Sequence, residues 1–164
     1  MADAVMSECG TYRYMLRRKS ETLYSERGTA LFVMLNPSTA DATKDDPTIR
    51  RCRGFAKAWG CAGILVANLY AYRSTDPRNL WKAADPVGPE NDAWLSRLAR
   101  ECGDVICAWG AHAKPERVKA VSLMMRASGA RLFCLGTTKS GAPKHPLYIP
   151  AAQPAILWEA PSDG

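Results

Sequence analysis

The stretch Ala30-Leu31-Phe32-Val33-Met34-Leu35 decides the fold, and it stops abruptly at the polar run Asn36-Pro37-Ser38-Thr39-Ala40-Asp41. A continuous apolar run of this length is typical of a strand that is covered on both faces. Three later runs have the same form and end in a polar or glycine-bearing loop: residues 63–67, 104–108 and 131–135. If the runs are parallel strands, their loops gather at one sheet edge, where open α/β folds bind ligands.

Helical patterns separate these runs. Asp46 and Pro47 are typical of a helix cap and the first helical residue, and apolar residues then recur at helical spacing up to Gly60. The pattern predicts further helices over residues 90–102 and 115–129. We therefore predict a three-layer α/β fold with a mostly parallel central sheet of about four strands and helices on both faces. A strand over residues 12–18 is expected to precede it, with a hairpin loop at residues 20–28 leading into the first run.

Length and composition limit the possibilities. A chain of 164 residues suits one hydrophobic core, and we predict a single domain over residues 1–164. No apolar stretch approaches the roughly 18 residues of a membrane span. The N-terminal residues lack the basic start and apolar middle of a signal peptide. We expect a cytoplasmic protein that has no membrane partner, and the sequence favours no oligomeric state.

The net charge of +6 favours an anionic partner. Basic residues form two groups, which are Arg13, Arg17, Arg18 and Lys19, and Arg50, Arg51, Arg53 and Lys57. Such a face suits contacts with phosphate groups. It is equally consistent with a solvated surface that keeps the protein in solution.

The six cysteines contain no Cys-x-x-Cys pair, and their spacing matches no zinc or common iron–sulfur pattern. Cys107 and Cys134 lie inside apolar runs, where cysteine acts as a small hydrophobic residue. We therefore expect reduced, mostly buried thiols, no metal site and no cofactor.

The first polar loop offers candidates for chemistry. The carboxamide of Asn36 can hold a water molecule or the edge of a substrate, although an Asx turn or helix cap is the structural alternative. Because Asp46 is expected to cap a helix, Asp41 and Asp45 are the freer candidates for acid–base work or for positioning water.

Two further loops complete the predicted site. Asn68 ends the second run and is suited to reading a base edge, while Tyr70 and Tyr72 either stack on a base or line the core. Arg73 is a candidate phosphate contact. His145 lies in a loop rich in glycine, proline and lysine, where it either donates a hydrogen bond to a developing oxyanion or is a surface residue.

Two resemblances rest on these motifs. Three segments resemble a bacterial and phage family of unknown function: Leu35-Asn36-Pro37-Ser38-Thr39-Ala40-Asp41, Asp45-Asp46-Pro47-Thr48-Ile49-Arg50-Arg51-Cys52 and Asn68-Leu69-Tyr70-Ala71-Tyr72-Arg73. The order of motifs resembles, more distantly, the uracil-DNA glycosylase superfamily. The matching segments are Leu35-Asn36-Pro37, Asn68, Ala108-Trp109-Gly110-Ala111-His112-Ala113 and His145-Pro146. In that superfamily the residue at the position of Asn36 orients the attacking water, and the residue at the position of Asn68 reads the edge of the pyrimidine. The histidine at the position of His145 donates a hydrogen bond to the base.

The second resemblance implies a glycosylase-like fold and a site that consists of catalytic and substrate-binding residues. The catalytic residues are predicted to be Asn36, Asp41 and His145, and the substrate-binding residues Pro37, Ser38, Asn68, Tyr70, Arg73, Trp109, Gly110 and Lys144. Leu147 stands where the superfamily has serine, so specificity for uracil does not follow. The function implied is hydrolysis of an N-glycosidic bond in DNA. The alternatives are a non-catalytic module that binds a modified base or nucleotide, and an enzyme acting on free nucleosides or nucleotides.

Overall fold

A computed structural model describes residues 3–20 and 27–160 of the chain. The strands are β1 (Ala4–Met6), β2 (Arg13–Lys19), β3 (Ala30–Met34), β4 (Gly63–Asn68), β5 (Asp104–Cys107), β6 (Arg131–Cys134) and β7 (Ile156–Leu157). The helices are α1 (Pro47–Ala58), α2 (Asn91–Cys102) and α3 (Pro115–Ala127), with a 3-10 helix at Pro77–Lys82. Strands and helices alternate from β3 to β6, so the predicted α/β class is confirmed.

The strands form one mixed sheet of seven strands in the order β1-β2-β4-β3-β5-β6-β7. The pairings β3–β4, β3–β5 and β5–β6 are parallel. The pairings β1–β2, β2–β4 and β6–β7 are antiparallel. The predicted sheet of about four mostly parallel strands is therefore too small, because the short strands β1 and β7 and the strand β2 extend it at both sides.

The strand order creates a switch point between β3 and β5. From β3 the chain passes through α1 to β4 on one side, whereas from β5 it passes through α3 to β6 on the other side. Loops that leave neighbouring strands in opposite directions open a crevice beyond the carboxyl ends of those strands. The fold therefore offers a ligand crevice after Met34 and Cys107, the last residues of β3 and β5.

Apolar side chains cover both faces of the sheet. On one face, Ile49 and Phe55 of α1 pack with Phe32 of β3 in one buried cluster. On the other face, Leu95 of α2 and Val121 of α3 belong to a second cluster, together with alternate residues of the same strands. Every residue of β3 is buried, as expected of a strand between two layers of helices.

The start of α1 follows local rules. The Asp46 carboxylate accepts a hydrogen bond of 2.9 Å from the amide of Ile49, and Pro47 is the first helical residue. Gly60 follows the helix with a φ of +75°, a conformation that suits glycine after a helix. The predicted cap and the predicted start of this helix are confirmed.

Other expectations about local structure are corrected. The strand β2 pairs with β1 and β4 rather than with β3, so the hairpin expected to join residues 12–18 to the first apolar run is wrong; residues 21–26 of that loop lie outside the described residues. The segment between β4 and α2 contains the 3-10 helix Pro77–Lys82. In the described part of the chain no helix is long and apolar enough to cross a membrane.

Candidate ligand pocket

A cavity of about 690 Å³ lies at the carboxyl edge of the sheet, at the switch point between β3 and β5. Three loops line it, namely those that follow β3, β5 and β6, together with Ser74 and Thr75 of the loop after β4. We call this cavity the edge pocket. Its position agrees with the prediction that polar loops meet at one edge of the sheet.

Asn36 lines the edge pocket and also joins two loops. Its Nδ2 atom donates hydrogen bonds to the carbonyl oxygens of Ser74 (2.9 Å) and Pro37 (3.1 Å). The amide of Ser74 in turn donates to the Pro37 carbonyl at 2.9 Å. The Asn36 carboxamide is thus held by its nitrogen, while its Oδ1 atom has no hydrogen-bond partner among the described residues.

His145 also lines the edge pocket, lies in the loop after β6 and is partly buried. Its Nδ1 atom accepts a hydrogen bond of 3.3 Å from the amide of Leu147. Burial lowers the pKa of His145 below the ordinary value of 6.5, and the negative charge of Asp46 opposes this shift. A neutral ring whose Nδ1 accepts a hydrogen bond carries its proton on Nε2, which leaves Nε2 as a donor.

Two charged residues that were not predicted from the sequence to belong to the site line the edge pocket. Asp46 is its one carboxylate among the described lining residues, and the carboxylate also caps α1. The side chain of Arg13 is almost completely buried; its Nη1 atom donates to the carbonyl of Ala40 at 2.8 Å, and its Nε atom has no partner among the described residues. Desolvation lowers the pKa of Arg13 to about 10, so the guanidinium stays charged near neutral pH.

Four further predicted residues line the edge pocket, namely Ser38, Trp109, Gly110 and Lys144. The Trp109 side chain is buried and packs edge-on against Trp158, with ring centroids 5.3 Å apart. Its indole nitrogen has no partner among the described residues. Gly110 adopts a φ of +76°, and a Cβ atom there would lie 3.8 Å from the Cβ of His145. The loop after β5 therefore packs close to the histidine.

Asp41 lies outside the lining of the edge pocket. Its Oδ1 atom accepts hydrogen bonds from the amides of Thr43 (3.0 Å) and Lys44 (2.8 Å), so the side chain closes a local turn. These bonds lower the pKa of the carboxyl. Pro37 is a buried residue of the same loop, and its carbonyl accepts the hydrogen bond from the Ser74 amide. The structure thus assigns both residues to shaping the loop.

Three residues at and after the end of β4 that were predicted to bind the substrate, Asn68, Tyr70 and the candidate phosphate contact Arg73, are also not among the pocket-lining residues. Asn68 is buried, and neither carboxamide atom has a partner among the described residues. Tyr70 is buried and packs edge-on against Trp81, while its hydroxyl oxygen accepts a bond from the amide of Lys114. Arg73 donates to the Gly10 carbonyl at 3.3 Å. Of this loop, only the later Ser74, Thr75 and Pro77 line the edge pocket.

Tyr148 stands at the rim of the edge pocket and was also missed. Its side chain is 97% exposed, and its φ of +72° is the one positive value at a non-glycine residue in the described part of the chain. Its place directly after His145-Pro146-Leu147 was the available signal. Within residues 3–20 and 27–160, no cluster of three or more His, Cys, Asp or Glu side chains is arranged to hold a metal ion.

The fold and the edge pocket define an α/β protein with a cavity at the carboxyl edge of its sheet. A family model described as "Protein of unknown function (DUF1643)" matches residues 13–147, so the chain belongs to this family. The match runs from β2 to the loop that carries His145, and it therefore contains most of the edge pocket. No curated protein and no solved structure matches the sequence significantly.

Proposed function

We propose that this protein recognises a nucleobase in DNA and hydrolyses the N-glycosidic bond that joins the base to its sugar. The observation that carries the proposal is the meeting of Asn36, Asp46 and His145 in one cavity at the switch point of the sheet. The order of the motifs around Asn36 and His145, which resembles that of uracil-DNA glycosylases, supports the same chemistry.

The proposed role of His145 is to stabilise the departing base. When the bond between C1′ and the base nitrogen breaks, the electron pair leaves with the base and negative charge develops on the ring. A neutral imidazole with its proton on Nε2 donates a hydrogen bond to that charge without acting as a base. The bond from the Leu147 amide to Nδ1 favours this tautomer.

The proposed role of Asn36 and Asp46 is to orient water. The Asn36 Oδ1 atom remains free to accept a hydrogen bond because its amide nitrogen is engaged by Ser74 and Pro37. The Asp46 carboxylate receives the proton of the water that attacks the oxocarbenium-like sugar, and its negative charge favours that cationic state. Asp46 replaces Asp41 in this role, because Asp41 lies outside the lining of the edge pocket.

The dimensions and the polar groups of the edge pocket fit an extruded nucleotide. Its volume of about 690 Å³ lies within the common range for small-molecule sites. Enzymes that act on a base within DNA take the base out of the stack into such a pocket. The buried guanidinium of Arg13 offers a fixed positive charge for a base carbonyl or an acidic substituent of the base.

A second candidate is base recognition without hydrolysis. The specific observation in its favour is that the groups that could activate water also hold the fold together: Asn36 ties the loop at Ser74, and Asp46 caps α1. A pocket that serves only to bind a modified base needs no group free for chemistry.

The experiment is a strand-cleavage assay with labelled single- and double-stranded oligonucleotides that carry uracil, hypoxanthine, xanthine, or hydroxymethylated or glucosylated bases. Alkali converts each abasic site into a break. We expect cleavage at one class of base, with a loss of about a hundredfold or more in His145→Ala or Asn36→Ala. Asp104→Asn is the matched control, because this exposed carboxylate lies at the amino end of β5, away from the edge pocket.

The outcomes separate the candidates. Cleavage of one substrate by the wild type, lost in both pocket variants and kept in Asp104→Asn, supports the glycosylase. Tight binding of one modified oligonucleotide without any cleavage supports the recognition module. Release of free base from nucleosides alone overturns both DNA-directed functions.

A further inference from the structure

A second cavity of about 370 Å³ lies between α1 and the strands β2 and β4. Positive charge dominates its described lining, which contains Arg18, Lys19, Arg50, Arg53 and Lys57, with Asp45 as the one acidic residue. We call this cavity the basic groove. It shares no lining residue with the edge pocket.

The single carboxylate of the basic groove orients two guanidinium groups. Asp45 Oδ1 accepts a hydrogen bond of 2.6 Å from Arg18 Nε, and Asp45 Oδ2 accepts one of 2.9 Å from Arg53 Nη1. Arg18 also donates to the carbonyls of Arg17, Asp41 and Lys44, so its role is to support the wall. One carboxylate balances two of the five cations, and the groove keeps an excess of positive charge.

Gly54 lies on the exposed side of α1 and lines the same groove. Glycine inside a helix costs about 1 kcal/mol relative to alanine. Nothing in the described structure requires glycine here: its φ is not positive, and a Cβ atom would meet no heavy atom within 4 Å. Gly63, across the groove, differs because a Cβ there would clash with the carbonyl oxygen of Arg18.

The absent side chain of Gly54 opens the floor of the groove between basic residues of α1. Arg50 precedes Gly54 by four residues and Lys57 follows it by three. Residues at these spacings lie on one face of a helix. A ligand can therefore approach the helix backbone at Gly54 with a cation on either side.

The basic groove and the edge pocket are neighbours at the start of α1. Asp45 lines the groove and Asp46 lines the pocket, and consecutive Cα atoms are about 3.8 Å apart. The two cavities thus adjoin consecutive residues at the amino end of α1.

We propose that the basic groove binds backbone phosphate groups of the polynucleotide whose base enters the edge pocket. This proposal rests on the proposed function in taking the ligand to be a polynucleotide. Phosphates of the chain beside the extruded nucleotide contact Arg50, Arg53 and Lys57, and the strand passes over Gly54.

The sharpest test uses Gly54, because stability and binding are expected to move in opposite directions. Gly54→Leu fills the floor of the groove while improving helix propensity. We expect a melting temperature equal to or above that of the wild type, and an affinity for a fluorescent single-stranded oligonucleotide that is lower by about tenfold or more. Unchanged affinity in a folded Gly54→Leu protein overturns the proposal.

Salt dependence gives a second test. For the double variant Arg50→Gln/Lys57→Gln we expect the slope of log affinity against log salt concentration to fall in magnitude by about 1.4, the value for two lost contacts with a single strand. The control is Arg100→Gln, which removes an exposed charge from α2 on the other face of the sheet. An equal change in slope per removed charge in the control shows a general charge effect and overturns the proposal.

Two further arms separate this proposal from its alternatives. Tripolyphosphate, added at constant ionic strength, tests whether the basic groove prefers a free phosphate chain. If the protein binds tripolyphosphate saturably and does not bind the oligonucleotide, the ligand of the groove is not a polynucleotide and the proposal is overturned. Oligonucleotide binding that is lost in Gly54→Leu, in a protein that cleaves no substrate, supports the groove while the proposed hydrolysis fails.

Discussion

The amide of Leu147 donates a 3.3 Å hydrogen bond to Nδ1 of His145, and this bond fixes which ring nitrogen is available to a ligand. Gly110 approaches the same residue from the loop after β5. The histidine is thus oriented by its own loop and bounded by a neighbouring one, so its Nε2 atom is a directed donor rather than a freely rotating group.

Burial of His145 predicts a dependence of stability on pH. Because burial lowers the pKa below 6.5 in the folded protein, the unfolded chain binds a proton there that the folded chain does not. The contribution of neutral His145 to the free energy of unfolding is fully present above about pH 6.5. It is lost as the pH falls below that value, by at most about 1.4 kcal/mol per pH unit. We expect His145→Gln to remove this slope, as measured by urea denaturation between about pH 7 and about pH 5.

The three carboxylates whose pKa values are lowered in the folded protein do not obscure this measurement. Hydrogen bonds and ion pairs lower the pKa values of Asp41, Asp45 and Asp76 below their ordinary value of 3.8. Their contributions to stability are lost only as the pH approaches that value and falls through the folded pKa. An unchanged slope in His145→Gln would show that another group titrates in this range.

Asp46 has two roles that substitution can separate. Asn caps a helix about as well as Asp, whereas Ala costs about 1 kcal/mol of stability. We expect Asp46→Asn to keep the free energy of unfolding while lowering the pKa of His145 further, because the opposing negative charge is lost. Urea denaturation and an NMR titration of the imidazole measure the two effects. A rise of the pKa of His145 in Asp46→Asn would contradict the electrostatic account.

Asn36→Ala tests the tether between the loops after β3 and β4. The substitution removes two hydrogen bonds, to the carbonyls of Ser74 and Pro37. We expect a loss of about 1–2 kcal/mol in the free energy of unfolding. Ser38→Ala is the neighbouring control, since this half-buried serine makes no comparable bond with the described residues. Equal losses in both variants would show that the loop is stabilised by other contacts.

Gly110→Ala tests backbone strain beside the histidine. At a φ of +76° a side chain costs about 1–2 kcal/mol, although the Cβ atom itself has room. We expect a melting temperature below that of the wild type. We expect Gly54→Ala to raise the melting temperature instead, because Gly54 lies in a helix with open space around it. The prediction fails if both alanines shift the melting temperature in the same direction.

Cys9 is predicted to be the reactive thiol among the described residues. Hydrogen bonds with the side chains of Thr11 and Ser7 lower its pKa to about 7, and the residue is exposed. Burial raises the pKa of every other cysteine, for example that of Cys102 to about 11. Brief alkylation at neutral pH, followed by peptide mass spectrometry, should modify Cys9 first. In Cys9→Ser the rapid phase should disappear.

Local patterns were sufficient for the elements near the centre of the sheet. The continuous apolar run of β3 predicted a strand covered on both faces, since burial on two sides leaves no polar alternation. The pair Asp46-Pro47 predicted the start of α1 through capping chemistry that involves neighbouring residues alone. The meeting of polar loops at one edge followed from alternating strands and helices.

Neighbour order in the sheet could not be predicted in the same way. Strand β2 was expected to pair through a hairpin with the next run, but it pairs with β4. Backbone hydrogen bonds between strands are chemically the same for any partner, so a strand's own sequence does not select its neighbour. The edge strands β1 and β7 are also too short to give a periodic signal.

The sequence by itself determined the α/β class, the buried first strand, the cap of α1 and the presence of Asn36 and His145 in loops at the sheet edge. The tertiary structure alone decided which side chains enter the pocket. Asp46 and Arg13 line it, whereas Asp41, Asn68 and Tyr70 do not. The reason is that the sequence determines which residue type stands at the end of a strand, whereas long-range packing determines the direction of its side chain and the groups that it faces.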